Sequence, residues 1–191
     1  FGLVIKFRVE GLEHIPQDGA CIISAAPHTS HLDTGAVTRA LLKILRKKMD
    51  GVFFLGALDH FFEKGKWWGR YWRVAARVLL IERRKERRKE QLGSIRRAAQ
   101  FLRQGIALVV YPEGGRAPSR EWWTKLREFE NGVGWLSSKT ETPIIPCVIR
   151  GTSWLFPKAE KNTTPWLFLI PRIIWASVMR AIVLVEFAPP V

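Results

Sequence analysis

Seven short apolar runs punctuate the chain, at Val4–Val9, Ala20–Ser24, Val52–Leu55, Val78–Ile81, Ile106–Tyr111, Ile144–Ile149 and Ile182–Phe187. Their Val, Ile and Leu runs are continuous rather than alternating, which predicts β-strands buried on both faces. Between them apolar residues recur at helical spacing, at Val37, Ala40, Leu41, Ile44 and Leu45 and again at Leu92, Ile95, Ala99 and Leu102, with Gly105 placed to stop the second helix. Strands and helices in alternation predict an α/β fold, a mixed, mostly parallel central sheet of about seven strands flanked by helices. No repeat, linker or internal boundary interrupts the pattern, so residues 1–191 read as a single domain.

Composition changes the picture in one respect. Hydrophobic residues at 47% and charged residues at 25% of 191 are ordinary for a globular protein, but 31 Lys and Arg against 17 Asp and Glu leave a net charge of +14. The excess is concentrated. Residues Lys64–Arg103 contain fourteen basic and three acidic side chains, leaving only +3 for the rest of the chain. An anionic partner or substrate is expected to meet that block. Nine Trp favour an anionic membrane surface over nucleic acid, because indole settles at the headgroup level and no nucleic-acid reading motif is present. On a helical wheel Trp67, Trp68, Tyr71, Trp72 and Ala75 share a face, with Arg70, Arg73 and Arg77 on another. The segment is either a surface helix packing its aromatics on the core or an amphipathic element dipping into lipid. The run from Arg83 to Glu90 reads as a solvated helix face.

Two cysteines cannot build a disulfide framework, and Cys21 and Cys147 fall within or beside apolar strands as core residues. No signal peptide and no good transmembrane helix stand out. The best stretch, from Pro165 to Phe187, is broken by Pro171, Arg172 and Arg180, so it is better suited to lie on a bilayer than to cross it. The chain starts at Phe1 rather than Met, which suggests a fragment or a processed product.

Two segments carry chemistry. In Pro27-His28-Thr29-Ser30-His31-Leu32-Asp33, a His precedes an Asp by five positions across a strand-to-helix turn. That spacing lets the carboxylate hold one imidazole nitrogen while the other acts as a general base on a hydroxyl brought by the substrate. His28, His31 and Asp33 could also be metal ligands, but the run lacks the remaining members of a hydrolase metal site and no metal is expected. In Val109-Val110-Tyr111-Pro112-Glu113-Gly114-Gly115-Arg116, two glycines allow a tight turn and Arg116 offers a planar fork suited to phosphate. Neither a P-loop nor a Gly-x-Gly-x-x-Gly fingerprint occurs.

Taken together the segments resemble the glycerolipid acyltransferases, typified by the 1-acylglycerol-3-phosphate acyltransferases. That family has four ordered blocks. The first matches His28, Ser30 and Asp33, the second Leu80-Ile81-Glu82-Arg83, the third Tyr111 to Arg116 and the fourth Pro143-Ile144-Ile145-Pro146. Pro27 replaces the family's Asn, Gly115 its Thr and Ala117 its Ser. The resemblance implies that His28 deprotonates an acceptor hydroxyl for attack on an acyl-CoA or acyl-carrier-protein thioester, with Asp33 holding His28 in place. It implies that Arg83, Glu113 and Arg116 bind the acceptor's polar head, that Gly114 shapes the turn and that Ser30 donates a hydrogen bond near the pair. The expected acceptor is a lysophospholipid, by default 1-acylglycerol-3-phosphate, with a glycolipid or a polyol as alternatives. The expected place of work is the cytoplasmic face of a membrane, with acyl-CoA or acyl-carrier protein as donor and no separate cofactor. The resemblance implies N-terminal membrane-anchoring helices, which are expected to be missing here if the chain starts mid-protein. A non-catalytic basic module binding anionic lipid or nucleic acid is the competing reading, and it would not need His28 and Asp33 adjacent in space.

Overall fold

The computed structural model describes residues 6–30, 32–45, 51–58, 77–117, 126–155 and 182–191. Its strands are β1 (Lys6–Glu10), β2 (Ile22–Ala26), β3 (Val52–Ala57), β4 (Val78–Ile81), β5 (Ala107–Val110), β6 (Ile144–Arg150) and β7 (Ile182–Phe187). The helices are α1 (Leu32–Leu45), α2 (Arg88–Arg103), α3 (Gly132–Thr140) and a single turn, α4 (Thr152–Leu155). All seven expected runs therefore contribute a strand. They form one sheet in the order β1-β7-β6-β2-β5-β3-β4, with every neighbouring pair parallel except β6 and β7. This is the mixed, mostly parallel sheet the sequence predicts.

Strands β2 and β5, at the centre, are largely buried on both faces because helices cover each face. Ile23 and Ala25 of β2, Val109 of β5 and Ile145 of β6 pack in one cluster with Ala36, Val37, Ala40 and Leu41 of α1. Ile22 and Leu108 turn to the opposite face and join Ala98, Ala99 and Leu102 of α2 with Val133 and Leu136 of α3. The expectation of continuous burial fails toward the β7 side. Strands β6 and β7 bury alternate residues, Ile145, Cys147 and Ile149 in one and Val183, Val185 and Phe187 in the other.

Helix α2 ends as expected. Gly105 takes the left-handed conformation (φ +80°) and its N–H donates to the Leu102 carbonyl, while the Ile106 N–H returns to that of Phe101. Leu92, expected in the buried stripe of α2, is instead 45% exposed. The solvated helix expected from Arg83 is also corrected. Residues 82–84 are irregular, Lys85–Arg87 form a 3₁₀ turn and α2 begins only at Arg88. The cause is Glu82, which is buried and whose Oε1 accepts the backbone N–H groups of Arg83 and Arg84, 3.0 Å away in each case.

Some expectations fall outside the described residues, namely Val4 and Ile5 of the first strand, the aromatic wheel from Lys66 to Ala76, and residues 165–181 of the apolar C-terminal stretch. The last six residues of that stretch form β7. Among the described residues no helix is long and apolar enough to cross a membrane.

Candidate active site

The carboxyl ends of β2 and β5 carry the two chemical segments side by side, because the strands pair in parallel with Ile22 opposite Leu108 and Ser24 opposite Val110. After β2, a cis Ala26–Pro27 peptide leads into residues 27–30 and then α1. Asp33, in the first turn of α1, reaches back over this turn. Its Oδ2 lies 2.9 Å from His28 Nδ1 and accepts the backbone N–H groups of Thr29 and Ser30, each at 2.8 Å. A carboxylate can only accept, so His28 carries its proton on Nδ1 and presents a lone pair on Nε2. Asp33 is fully buried and its second oxygen, Oδ1, has no hydrogen-bond partner. The His28 side chain is 15% exposed, enough for a substrate to reach the ring.

Ser30 lies beside the pair, and its bonds hold the turn. Its Oγ accepts the Leu32 N–H at 3.1 Å, satisfying a donor of the first helical turn, and its own N–H donates to Asp33. Both bonds fix the turn that holds the pair.

The second segment locks onto the first. The Ala117 N–H donates to the His28 carbonyl at 2.7 Å, and the His28 N–H donates to Glu113 Oε2 at 3.4 Å. Tyr111 stacks on the imidazole, with ring centroids 3.9 Å apart and planes 15° from parallel, while its hydroxyl meets Thr34 Oγ1 at 3.1 Å. Burial, and then the charge of Asp33, push the Tyr111 phenol well above its ordinary value, so the ring stays neutral.

Glu113 is buried, and its Oε1 has no hydrogen-bond partner. Burial pushes its carboxyl up, while bonds from the backbone N–H groups of His28 and Arg127 pull it down. Gly114 follows in the left-handed conformation (φ +66°), its N–H closing a turn onto the Tyr111 carbonyl. Arg83 donates from Nη1 to the Gly114 carbonyl, and Arg127 donates from Nη1 to the Gly115 carbonyl at 3.2 Å. Arg116 is partly buried, which lowers its pKa, but it lies close enough to Asp33 for that carboxylate to favour its charge.

Every expected site residue thus reaches one neighbourhood. His28, Asp33, Ser30 and Glu113 are linked by consecutive hydrogen bonds, Gly114 follows Glu113 in the chain and accepts from Arg83, and Arg116 stands beside Asp33. Three contributors were not legible as site residues. Glu82 holds Arg84 in a two-bonded fork (Nε to Oε1 2.9 Å, Nη2 to Oε2 2.7 Å) and so fixes the backbone from which Arg83 projects. Tyr111 belongs to a recognised block, yet its stacking role has no sequence signal. Arg127 lies outside all four blocks. Cys147 is a buried residue of β6 and Cys21 is buried just before β2, outside the strand expected to hold it; burial pushes the Cys147 thiol up to about 12, which removes it as a thiolate nucleophile.

A part-exposed His held by a buried Asp at the carboxyl edge of a mostly parallel sheet is the frame of a general-base class of enzyme. The family comparison gives that class its name. Residues 6–150 match the family model Acyltransferase, and the chain belongs to that family. It is 21% identical over 157 residues to the chloroplastic 1-acyl-sn-glycerol-3-phosphate acyltransferase LPAT1 of Arabidopsis thaliana, an alignment covering 82% of this chain and 39% of that protein. It is 27% identical over 148 residues to a probable 1-acyl-sn-glycerol-3-phosphate acyltransferase of Mycoplasma pneumoniae, covering 78% of this chain and 50% of that one. The chain therefore spans half or less of the length of these relatives. The crystal structure of the 1-acyl-sn-glycerophosphate acyltransferase PlsC from Thermotoga maritima shares the fold, with a TM-score of 0.63 at 23% identity over 99% of this chain and 62% of that one.

Proposed function

We propose that this chain is the catalytic domain of a membrane-surface O-acyltransferase that esterifies a lysophospholipid hydroxyl, with 1-acylglycerol-3-phosphate as acceptor and phosphatidate as product. The observation that carries the reading is the 2.9 Å contact between His28 Nδ1 and the buried Asp33 carboxylate. It supports a neutral imidazole oriented as a general base. Nε2 takes the proton of the acceptor hydroxyl as its oxygen attacks the thioester carbonyl of acyl-CoA or acyl-carrier protein. Asp33 stabilises the imidazolium that forms. The carbon–sulfur bond then breaks and the thiol leaves with the proton returned by His28. Glu113 and Gly114 shape the acceptor site, and Arg83 and Arg116 meet its anionic head.

The reaction needs a hydroxyl from a bilayer-resident lipid. The exposed Arg87, Arg88, Lys89, Arg96, Arg97 and Arg103, on and just before α2, support docking on the anionic cytoplasmic face of a membrane. The adjacency of His28 and Asp33 favours an enzyme over a basic binding module, which has no use for it.

The test is acyl transfer from acyl-CoA to a panel of lysophospholipid, glycolipid and polyol acceptors, read by mass spectrometry of the lipid product. The wild-type chain is expected to prefer the phosphorylated glycerolipid, and folded His28→Ala protein to lose transfer by about 10²–10⁴-fold. Near-normal turnover by that variant would remove the mechanism.

A further inference from the structure

His28 is bounded on two sides. Asp33 takes the Nδ1 edge, and Tyr111 covers one face of the imidazole, with centroids 3.9 Å apart and planes 15° from parallel. The phenol is held in that attitude. It packs against the core cluster that α1 shares with β2 and β5, and its hydroxyl meets Thr34 Oγ1 at 3.1 Å. Thr34 follows Asp33 on α1, so neighbouring residues of one helical turn hold the base and the ring stacked on it.

Charge gives the stack a use beyond packing. The Asp33 carboxylate is shared, since its Oδ2 also accepts the N–H groups of Thr29 and Ser30 and Arg116 lies close enough to be favoured by the same charge. A cation formed on His28 therefore competes with Arg116 for Asp33. The face of a neutral aromatic ring carries partial negative charge and attracts a cation within about 6 Å of its centroid. Tyr111 sets such a face 3.9 Å from the ring that becomes charged.

We propose that Tyr111 is a positioning residue whose ring face stabilises the imidazolium of His28 as the acceptor proton transfers, with Thr34 keeping that face parallel to the imidazole. The role rests on the general-base reading of His28 and adds a second source of stabilisation beside Asp33. In the step concerned the acceptor O–H bond breaks, an N–H bond forms at Nε2, and the positive charge spreads over the imidazole while the oxygen attacks the thioester carbonyl. The stack occupies a face and Asp33 the Nδ1 edge, so neither blocks Nε2. The neutral imidazole of the resting site gains little from the ring. Its effect therefore belongs to the transition state, and it is expected in kcat rather than in KM.

The test changes the electronics of the ring and keeps its shape. Tyr111→Phe is the parent of a series in which phenylalanines fluorinated at one, two and three ring positions replace Tyr111 in turn. For each protein kcat, KM and melting temperature are measured with acyl-CoA and the lysophospholipid that the wild-type chain turns over fastest. Fluorine withdraws charge from the ring face, so kcat is expected to fall stepwise, by about three- to thirtyfold across the series, with KM and melting temperature nearly unchanged. Tyr111→Leu fills much of the same space without a π face and is expected to lose at least as much. Thr34→Val is expected to match Tyr111→Phe, and the two together to cost no more than either, because they remove one and the same bond. A kcat that stays level across the fluorinated series, in proteins that melt like the parent, would overturn the role of the ring face. A loss confined to KM or to melting temperature would overturn it too. Near-normal turnover by folded His28→Ala, or no transfer by the wild-type chain, would remove the general base itself and the role of the ring with it.

Discussion

Replacing Asp33 by Asn removes the charge and keeps the accepting oxygen, at the cost of an amide NH2 where Oδ1 lies without a partner, and it is the sharpest probe of the site. Asp33 Oδ2 accepts three hydrogen bonds, from His28 Nδ1 and from the N–H groups of Thr29 and Ser30. The carbonyl oxygen of an Asn can occupy the same point and keep accepting. What it cannot supply is the attraction to an imidazolium. Unit charges about 4 Å apart interact by roughly 4 kcal/mol at an effective dielectric constant near 20. Because the imidazolium exists only once the proton has begun to move, that attraction acts on the transition state rather than on the bound substrates. A loss of about 3–4 kcal/mol corresponds to a fall of roughly 10²–10³ in kcat, with KM for the thioester nearly unchanged. Asp33→Ala is the contrasting perturbation. It strands two buried N–H groups, at about 1–3 kcal/mol each, so it is expected to lower stability as well as activity. The assay is steady-state acyl transfer at saturating donor and acceptor, with melting curves of all three proteins. A kcat for Asp33→Asn within tenfold of wild type, in protein that melts normally, would show that the carboxylate does not stabilise a developing imidazolium.

Three further outcomes follow from neighbouring residues. Tyr111→Phe keeps the ring stacked on His28 and gives up only the bond to Thr34, so activity is expected to stay within a fewfold, whereas Tyr111→Ala frees the imidazole and should cost far more; equal losses would refute the stacking role. Glu113→Gln removes a carboxylate that burial disfavours, so the variant is expected to melt at or above the wild-type temperature at neutral pH while losing activity, and a drop in melting temperature would count against it. The fork from Arg84, with help from the backbone, holds the Glu82 carboxyl at about 2, down from 4.5. The stability it provides is therefore complete above pH 4.5 and lost as pH falls toward 2. Urea unfolding of wild type and Glu82→Gln should differ at pH 6 and converge near pH 2; a gap independent of pH would show that the charge of Glu82 is not what matters.

The legibility of the fold tracks how much apolar surface each element buries. Strands β2 and β5 are covered on both faces, and β5 writes itself into the sequence as an unbroken run of Ala, Leu and Val. Helix α3 leaves almost no trace, because Gly132, Gly134, Ser137 and Ser138 dilute a contribution of two buried residues, Val133 and Leu136. Its position is dictated by the sheet it covers rather than by its own propensity. The boundary of β2 moved toward Ala25 and Ala26 for a related reason. Small residues fit between sheet and helix, yet they do not look like a strand.

The site divides along a different line. His28 and Asp33 share one turn, so their spacing alone states their chemistry. His28 and Glu113 are 85 positions apart and meet only through the parallel pairing of β2 with β5, which a local pattern does not contain. The arginines are the instructive case. Counting charge gave the segment Lys64–Arg103 a net of +11, but a count does not say which cations are committed inside the protein. Arg84 is spent on Glu82, and Arg87 lies 3.9 Å from the same carboxylate. Arg116, read from the sequence as a headgroup ligand, stands beside the buried Asp33, whose charge it helps to balance. Arg127 lies outside both the basic block and the motif blocks, and it reaches the turn through a backbone carbonyl that any residue at position 115 would offer. Arg127 also lies close enough to the Glu113 carboxylate to lower its pKa, so part of its charge is balanced inside the protein. What remains of each charge is set by what that arginine touches.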